Sequence, residues 1–125
     1  MRVLIVDDDP GVRRLLRMIL ERDGHESDLA GDGDEAWHRL TTAPLPQLLI
    51  LDRMLPDIDG ADLVTRIRSD AHTANLPILV LTAAAGTSGD LDDRSLTRVL
   101  AKPFDLDQLR DLISALAGGR SARPD

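Results

Sequence analysis

Three short runs along the chain are almost unbroken in Val, Ile and Leu: Val3 to Val6, Leu48 to Leu51 and Ile78 to Leu81. Each is bounded by charged or turn-forming residues. Runs apolar at every position, instead of at every second one, fit strands covered on both faces. Between them the period lengthens. Val12, Leu15, Leu16, Ile19 and Leu20 recur at i, i+3, i+4, i+7 and i+8, with Pro10 in the expected first turn and Gly24 past the end, which predicts a helix. Leu63, Val64 and Ile67 after Gly60 predict another. Leu106, Leu109, Leu112, Ile113 and Leu116 predict one more, N-capped by Asp105 and ending at Gly118-Gly119. Ala36, Trp37 and Leu40 form a shorter stripe behind the Gly31-Asp32-Gly33 turn, while Glu26 to Ala30 and Arg98 to Leu100 read as weaker strands.

Strand and helix therefore alternate. That order implies parallel strands joined by right-handed crossovers, hence a single doubly wound five-stranded α/β sheet flanked by helices. Ligands of such sheets bind beyond the carboxyl ends of the strands. The segment from Ala83 to Thr97 fits the scheme least well. Gly86, Thr87, Ser88, Gly89 and Asp90 oppose a helix, so the fourth helix is expected to be short or irregular. The fold is expected over residues 1–117, and residues 118–125, which lack an apolar anchor, are expected to be a disordered tail.

A chain of 125 residues is the size of one domain and can bury roughly two-thirds of its unfolded surface. With one Trp, one Phe and no Tyr, the core must be aliphatic, and there is no aromatic platform for nucleobases. Twenty-two acidic residues against fifteen basic ones give a net charge of −7, which repels polyanions, so direct nucleic-acid binding is not expected. The absence of Cys excludes disulfides, thiol catalysis and cysteine-ligated metals. No signal-peptide pattern and no apolar run near the ~20 residues of a membrane span is present, and a cytoplasmic location without membrane insertion is the expectation. His25, His38 and His72 lack metal-ligand spacing and read as surface residues; Trp37 and Phe104 read as packing residues.

The chemistry gathers at the carboxyl ends of the strands. Asp7, Asp8 and Asp9 follow the first, Asp52 the third, Thr82 the fourth and Lys102 the last. Gathered carboxylates repel one another, and a hard divalent cation relieves the repulsion; Mg²⁺ suits because it takes one or two carboxylates and then phosphate oxygens. A carboxylate is also a nucleophile that forms aspartyl phosphates. Phosphoryl transfer needs mainly positioning and positive charge around the transferred group. In that scheme Asp52 is the nucleophile, Asp8 and Asp7 hold the metal, and Lys102 and the Thr82 hydroxyl meet phosphate oxygens. Asp9 reads instead as a helix cap.

The blocks LIVDDDP, LLILDRMLPDIDG, LPILVLTA and LAKPF, in that order, resemble the receiver domain of two-component response regulators over residues 1 to about 117. The resemblance implies a flavodoxin-like fold, Asp52 as the phosphorylation site, Asp7 and Asp8 as the acidic pair, Thr82 and Lys102 as the conserved hydroxyl and amine, and a cis bond before Pro103. It also implies that the backbone carbonyl of Met54 joins Asp7, Asp8 and Asp52 around Mg²⁺. The implied function is that of a stand-alone phosphorelay receiver, charged by a histidine kinase or histidine phosphotransfer protein and acting by docking to a downstream protein. External turnover is not implied: phosphatases with an aspartyl-phosphate intermediate carry a second Asp where this chain has Met54.

Two features depart from the family. Receivers commonly place an aromatic residue three positions before the lysine, where Val99 stands here. The stretch between Thr82 and Lys102 is also a few residues short. Both fall on a surface that receivers use for output, which motivates an alternative: a receiver-like adaptor that binds partners whatever its phosphorylation state.

Overall fold

The computed structural model describes residues 1–42, 44–83, 91–93 and 95–121. The elements run β1 (Arg2–Val6), α1 (Pro10–Arg22), β2 (Glu26–Ala30), α2 (Gly33–Thr42), β3 (Leu48–Asp52), α3 (Gly60–Ser69), β4 (Ile78–Thr82), β5 (Thr97–Ala101) and α4 (Leu106–Ser121). All strand pairs are parallel, in the order β2-β1-β3-β4-β5. The chain thus starts mid-sheet, steps outward to β2, then crosses back over β1 to β3. The place where winding reverses, between β1 and β3, leaves a crevice at the strands' carboxyl ends.

The three unbroken apolar runs lie in β1, β3 and β4; β3 and β4 are buried along their whole length, and β1 at every position but Arg2. Because successive side chains point to opposite faces, each run feeds two cores. Leu4, Val6, Leu49, Leu51, Ile78 and Val80 pack with Ala36 and Leu40 of α2 and Leu63, Val64 and Ile67 of α3. Val3, Ile5, Leu48, Ile50, Leu79 and Leu81 pack with Leu16 and Leu20 of α1 and Leu109, Ile113 and Leu116 of α4. Each fully buried Leu or Ile contributes roughly 1.5–3 kcal/mol relative to an exposed one, so an aliphatic core suffices without aromatic mass. Trp37 and Phe104 sit half-buried against opposite cores, as packing residues.

Helix boundaries mostly follow the expected signals. Asp9 caps α1 by accepting from the Gly11 N–H at 2.8 Å, Pro10 opens the helix, and Gly24 beyond its end has φ +86°, the left-handed region. Asp105 accepts from the Asp107 N–H at 3.0 Å at the start of α4. The far end of α4 differs from expectation, since the helix runs to Ser121, past Gly118-Gly119. A glycine costs a helix about 1 kcal/mol without breaking its hydrogen bonds, and here no left-handed residue turns the chain away. Residues 122–125, the rest of the expected tail, lie outside the described residues, as does most of the segment expected to hold an irregular fourth helix, residues 84–90 and 94.

Candidate functional site

The three consecutive acids after β1 have three different environments. Asp7 extends the β1–β2 ladder by one bond, its N–H donating to the Ala30 carbonyl at 3.1 Å, and its side chain is 1% exposed. One carboxylate oxygen accepts from the Asp9 N–H at 2.9 Å. Asp8 is exposed, and Asp9 is spent on the helix cap, as expected for it.

Asp52 is the last residue of β3 and is 7% exposed. The register pairs Val6 with Leu51 and Asp52 with Leu81, which sets Asp7, Asp52 and Thr82 side by side on the rim. Thr82 is buried, and its carbonyl accepts from the Lys102 N–H at 2.8 Å, so the β4–β5 ladder delivers Lys102 to the same rim. The Lys102–Pro103 bond is cis, as the resemblance implied. Lys102 Nζ lies 3.3 Å from Asp7 Oδ2 and 3.2 Å from Asp52 Oδ2, joining residues far apart in sequence. It is the chain's only lysine; every other basic side chain among the fifteen is Arg. A compact ammonium meets two carboxylates as a point charge without the wide planar fork of a guanidinium.

One carboxylate oxygen from each of Asp7, Asp8 and Asp52 lies within 4.8 Å of the others. Burial pushes the Asp7 carboxyl above the usual range against the Asp9 N–H bond; the nearby Asp52 carboxylate raises it further, and Lys102 opposes the rise. Burial pulls the Lys102 ammonium down, but Asp52 and Asp7 outweigh it and hold it above the ordinary lysine value. One ammonium thus faces two of the three clustered acids. The donor set, carboxylate oxygens only, suits a hard cation, and opposite oxygens around Mg²⁺ are about 4.2 Å apart, so the cluster already has nearly the size of a shared coordination shell.

The fourth expected ligand, Met54, lies on the loop after β3. Its N–H donates to Asp52 Oδ1 at 3.1 Å and its side chain is 70% exposed, so only its backbone takes part in the site. The loop closes on itself through a Met54–Asp59 bridge and a 2.7 Å bond from the Gly60 N–H to the Arg53 carbonyl. A Cβ on Gly60 would meet the Arg53 Cα at 2.6 Å, so only glycine fits there.

Two residues escaped the sequence reading. Arg13, one turn into α1, donates from Nη1 to the Asp7 carbonyl at 2.6 Å and so fixes the backbone beneath the acids. Asp57, on the β3–α3 loop, accepts from the Gly33 and Asp34 N–H groups at the start of α2, at 2.9 and 2.8 Å. A basic residue in an amphipathic helix and an acid in a turn carry no signal of such partners. His25 is half-buried, unlike the exposed His38 and His72, because it follows the Gly24 turn into β2 and its Nδ1 lies 3.1 Å from the Met1 amine. Val99 packs half-buried against the α2–α3 core, and its N–H donates to Asp92 Oδ2 at 3.1 Å.

A model of the response regulator receiver domain matches residues 3–114. The chain is similar to response regulator Rre1 of Synechocystis sp., 39% identical over 98% of this chain and 54% of that protein, so it spans about half of that relative's length. It is similar to chemotaxis protein CheY1 of Helicobacter pylori, 31% identical over 94% of this chain and 98% of that protein. Among solved structures, response regulator TrrA of Thermotoga maritima, in complex with Mg²⁺-BeF, superposes with a TM-score of 0.81 at 32% identity, covering 92% of this chain and 97% of that one. No helix among the described residues is long and apolar enough to cross a membrane.

Proposed function

The chain belongs to the response regulator receiver domain family, a family of signalling domains, and from that premise we propose that Asp52 accepts a phosphoryl group from a phosphohistidine of a histidine kinase or histidine phosphotransfer protein. The observation that carries the reading is the bridge of Lys102 between Asp7 and Asp52, in the same place as the three-carboxylate cluster. A deprotonated Asp52 oxygen forms the bond to phosphorus while the phosphorus–nitrogen bond to the donor histidine breaks, and the departing imidazole nitrogen keeps the electron pair. Once Asp52 becomes an acyl phosphate, Lys102 is released from its carboxylate and is within reach of a phosphate oxygen; the Thr82 hydroxyl, on the adjacent strand end, donates to another. Asp8, Asp7, Asp52 and the Met54 carbonyl would hold Mg²⁺, which supplies charge neutralisation of the transferring group. The Mg²⁺-BeF bound by TrrA supports that assignment.

The downstream step in this reading is docking to a protein target in the cytoplasm. The net charge of −7, which repels polyanions, supports a protein target.

The test of the chemistry is labelling. With a small phosphodonor such as acetyl phosphate and Mg²⁺, the protein should acquire an acid-stable, base-labile phosphate that is absent from Asp52→Ala. Wild-type protein that stays unlabelled at saturating donor and metal sinks the proposal. Val99 favours a second reading, an adaptor that binds regardless of phosphorylation, because a short β-branched side chain tied into the core has no second pose to adopt. Equal partner affinity with and without beryllium fluoride and Mg²⁺ would select it.

A further inference from the structure

The loop that carries Met54 is held at its base by its own backbone bonds and farther along by contacts with the rest of the fold. The Met54–Asp59 bridge and the Gly60–Arg53 bond tie its two ends together, and Asp59 caps α3 by accepting from the Ala61 N–H at 2.9 Å. Leu55 to Ile58 project beyond that closure. Leu55 and Ile58 pack against the α2–α3 core, and Asp57 reaches to the other side of the crevice. Asp57 places one oxygen on the Gly33 N–H and the other on the Asp34 N–H, at 2.9 and 2.8 Å. Ile58 follows it in, to the point that a Cβ on Gly33 would lie 2.2 Å from the Ile58 Cγ2. Gly33 therefore leaves room for the loop to seat on the helix.

This cap is supplied across the structure although α2 already has one of its own. Asp32 accepts from the Glu35 N–H at 2.8 Å, and Glu35 reaches back to the Gly31 N–H at 2.9 Å. Those bonds leave the first two helical N–H groups open, where a carboxylate is favoured by both hydrogen bonding and the helix dipole. The Gly33 N–H bond outweighs the opposing effect of burial and, with the Asp34 bond added, holds the Asp57 carboxyl below its usual range. The contact links two segments that flank the site: α2 follows β2, beside the Asp7 strand, and the loop follows Asp52.

We propose that Asp57 is a positioning residue for the Mg²⁺ site: by latching the β3–α3 loop onto the N-terminus of α2 it sets the Met54 carbonyl against the carboxylate cluster, and thereby sets metal affinity without touching the metal. The inference rests on the Met54 assignment made above. Side chains that orient a metal-binding group from outside its first coordination shell typically change affinity about 10-fold to 100-fold when removed. A loop restrained at its base as well belongs at the lower end of that range.

The test is Mg²⁺ affinity, read by isothermal titration calorimetry at pH 7, with the melting temperature in EDTA measured alongside. Asp57→Ala should weaken Mg²⁺ binding about tenfold. Asp57→Asn, whose single carbonyl oxygen serves only one of the two N–H groups, should fall between Asp57→Ala and wild type, and it covers the case in which Asp57→Ala does not fold. Gly24→Ala, which strains the end of α1 on another part of the molecule, controls for stability and should leave the Mg²⁺ affinity at the wild-type value. Wild-type affinity in both Asp57 variants would overturn the inference while leaving the site intact. So would an equal loss in Gly24→Ala, which would make the effect one of general stability. Wild-type protein that binds no Mg²⁺ would overturn the metal assignment itself, and the inference with it.

Discussion

Asp7→Asn should stabilise the metal-free protein and remove most of its response to Mg²⁺. The Asp7 carboxylate is 1% exposed, with an Asp8 and an Asp52 oxygen within 4.8 Å and Lys102 Nζ at 3.3 Å. At an effective dielectric constant of ~20, a like charge at 4.8 Å costs about 3.5 kcal/mol and an opposite charge at 3.3 Å returns about 5. Because 4.8 Å is the upper bound on the separation, the repulsion from Asp52 offsets at least about two-thirds of the attraction to Lys102. Against the remainder stand the water-screened repulsion from exposed Asp8 and the cost of burying the charge. Asparagine keeps an acceptor for the Asp9 N–H, and Lys102 keeps Asp52. The gain without metal is on the order of 1–2 kcal/mol, a rise in melting temperature of roughly 3–10 °C for a chain of this size. In wild type, Mg²⁺ at ten times its dissociation constant adds about 1.4 kcal/mol by mass action, and the variant should gain far less.

The pH dependence gives an independent check. Asp7 has its folded-state carboxyl raised above the unfolded reference of 3.8, so between the two values the folded chain binds more protons than the unfolded one. Its contribution therefore falls as pH rises through the folded value, and the advantage of Asp7→Asn should shrink towards pH 3. Thermal melts in EDTA and in Mg²⁺, at pH 3 to 8, measure all of this. A variant less stable than wild type in EDTA at pH 7, or one that keeps the full Mg²⁺ shift, would refute the charge argument.

Lys102→Met should destabilise the metal-free protein by about 1–3 kcal/mol, since Asp7 and Asp52 lose their shared counter-charge, and Mg²⁺ should recover part of the loss in the same melts. Gly60→Ala should cost more than about 2 kcal/mol in urea denaturation, because its Cβ would meet the Arg53 backbone, which cannot rotate away as a side chain would. Arg68→Met should cost about 2–4 kcal/mol: the guanidinium donates to the Ala74, Leu76 and Leu96 carbonyls and to the Thr97 hydroxyl, tying α3 to the starts of β4 and β5, and hydrogen exchange should quicken first at β5. The Asp59 cap is held below its usual value mainly by the Ala61 N–H, so it is fully charged above about pH 5 and its stabilisation is lost as pH falls through the depressed value; the melting difference between wild type and Asp59→Ala should narrow from pH 6 to pH 3.

Period and punctuation alone pointed to a parallel α/β sheet flanked by helices. Fully apolar runs against 3.6-residue stripes distinguish covered strands from amphipathic helices, and alternation of the two leaves a parallel sheet as the way to bury both. The acids and the lysine could be placed at strand ends because a strand's end is a local property. Gly24 and Asp9 were legible for the same reason, since a cap is made by its immediate neighbours. The end of α4 was misplaced because glycine weakens a helix without stopping it.

Register and topology decided the rest. No local signal states that β3 lies beside β1, and only that adjacency turns Asp7 and Asp52 into a pair with one ammonium between them. Thr82 and Lys102 reach the same rim because β4 and β5 share a ladder. Arg13 on the Asp7 carbonyl and Asp57 on the start of α2 are contacts whose partners lie on other elements, and a side chain's hydrogen-bond partner depends on where the backbone has already been placed. The residue types that carry the chemistry were thus written in the sequence, whereas their distances, their mutual electrostatics and the supports behind them exist only once the sheet has closed around them.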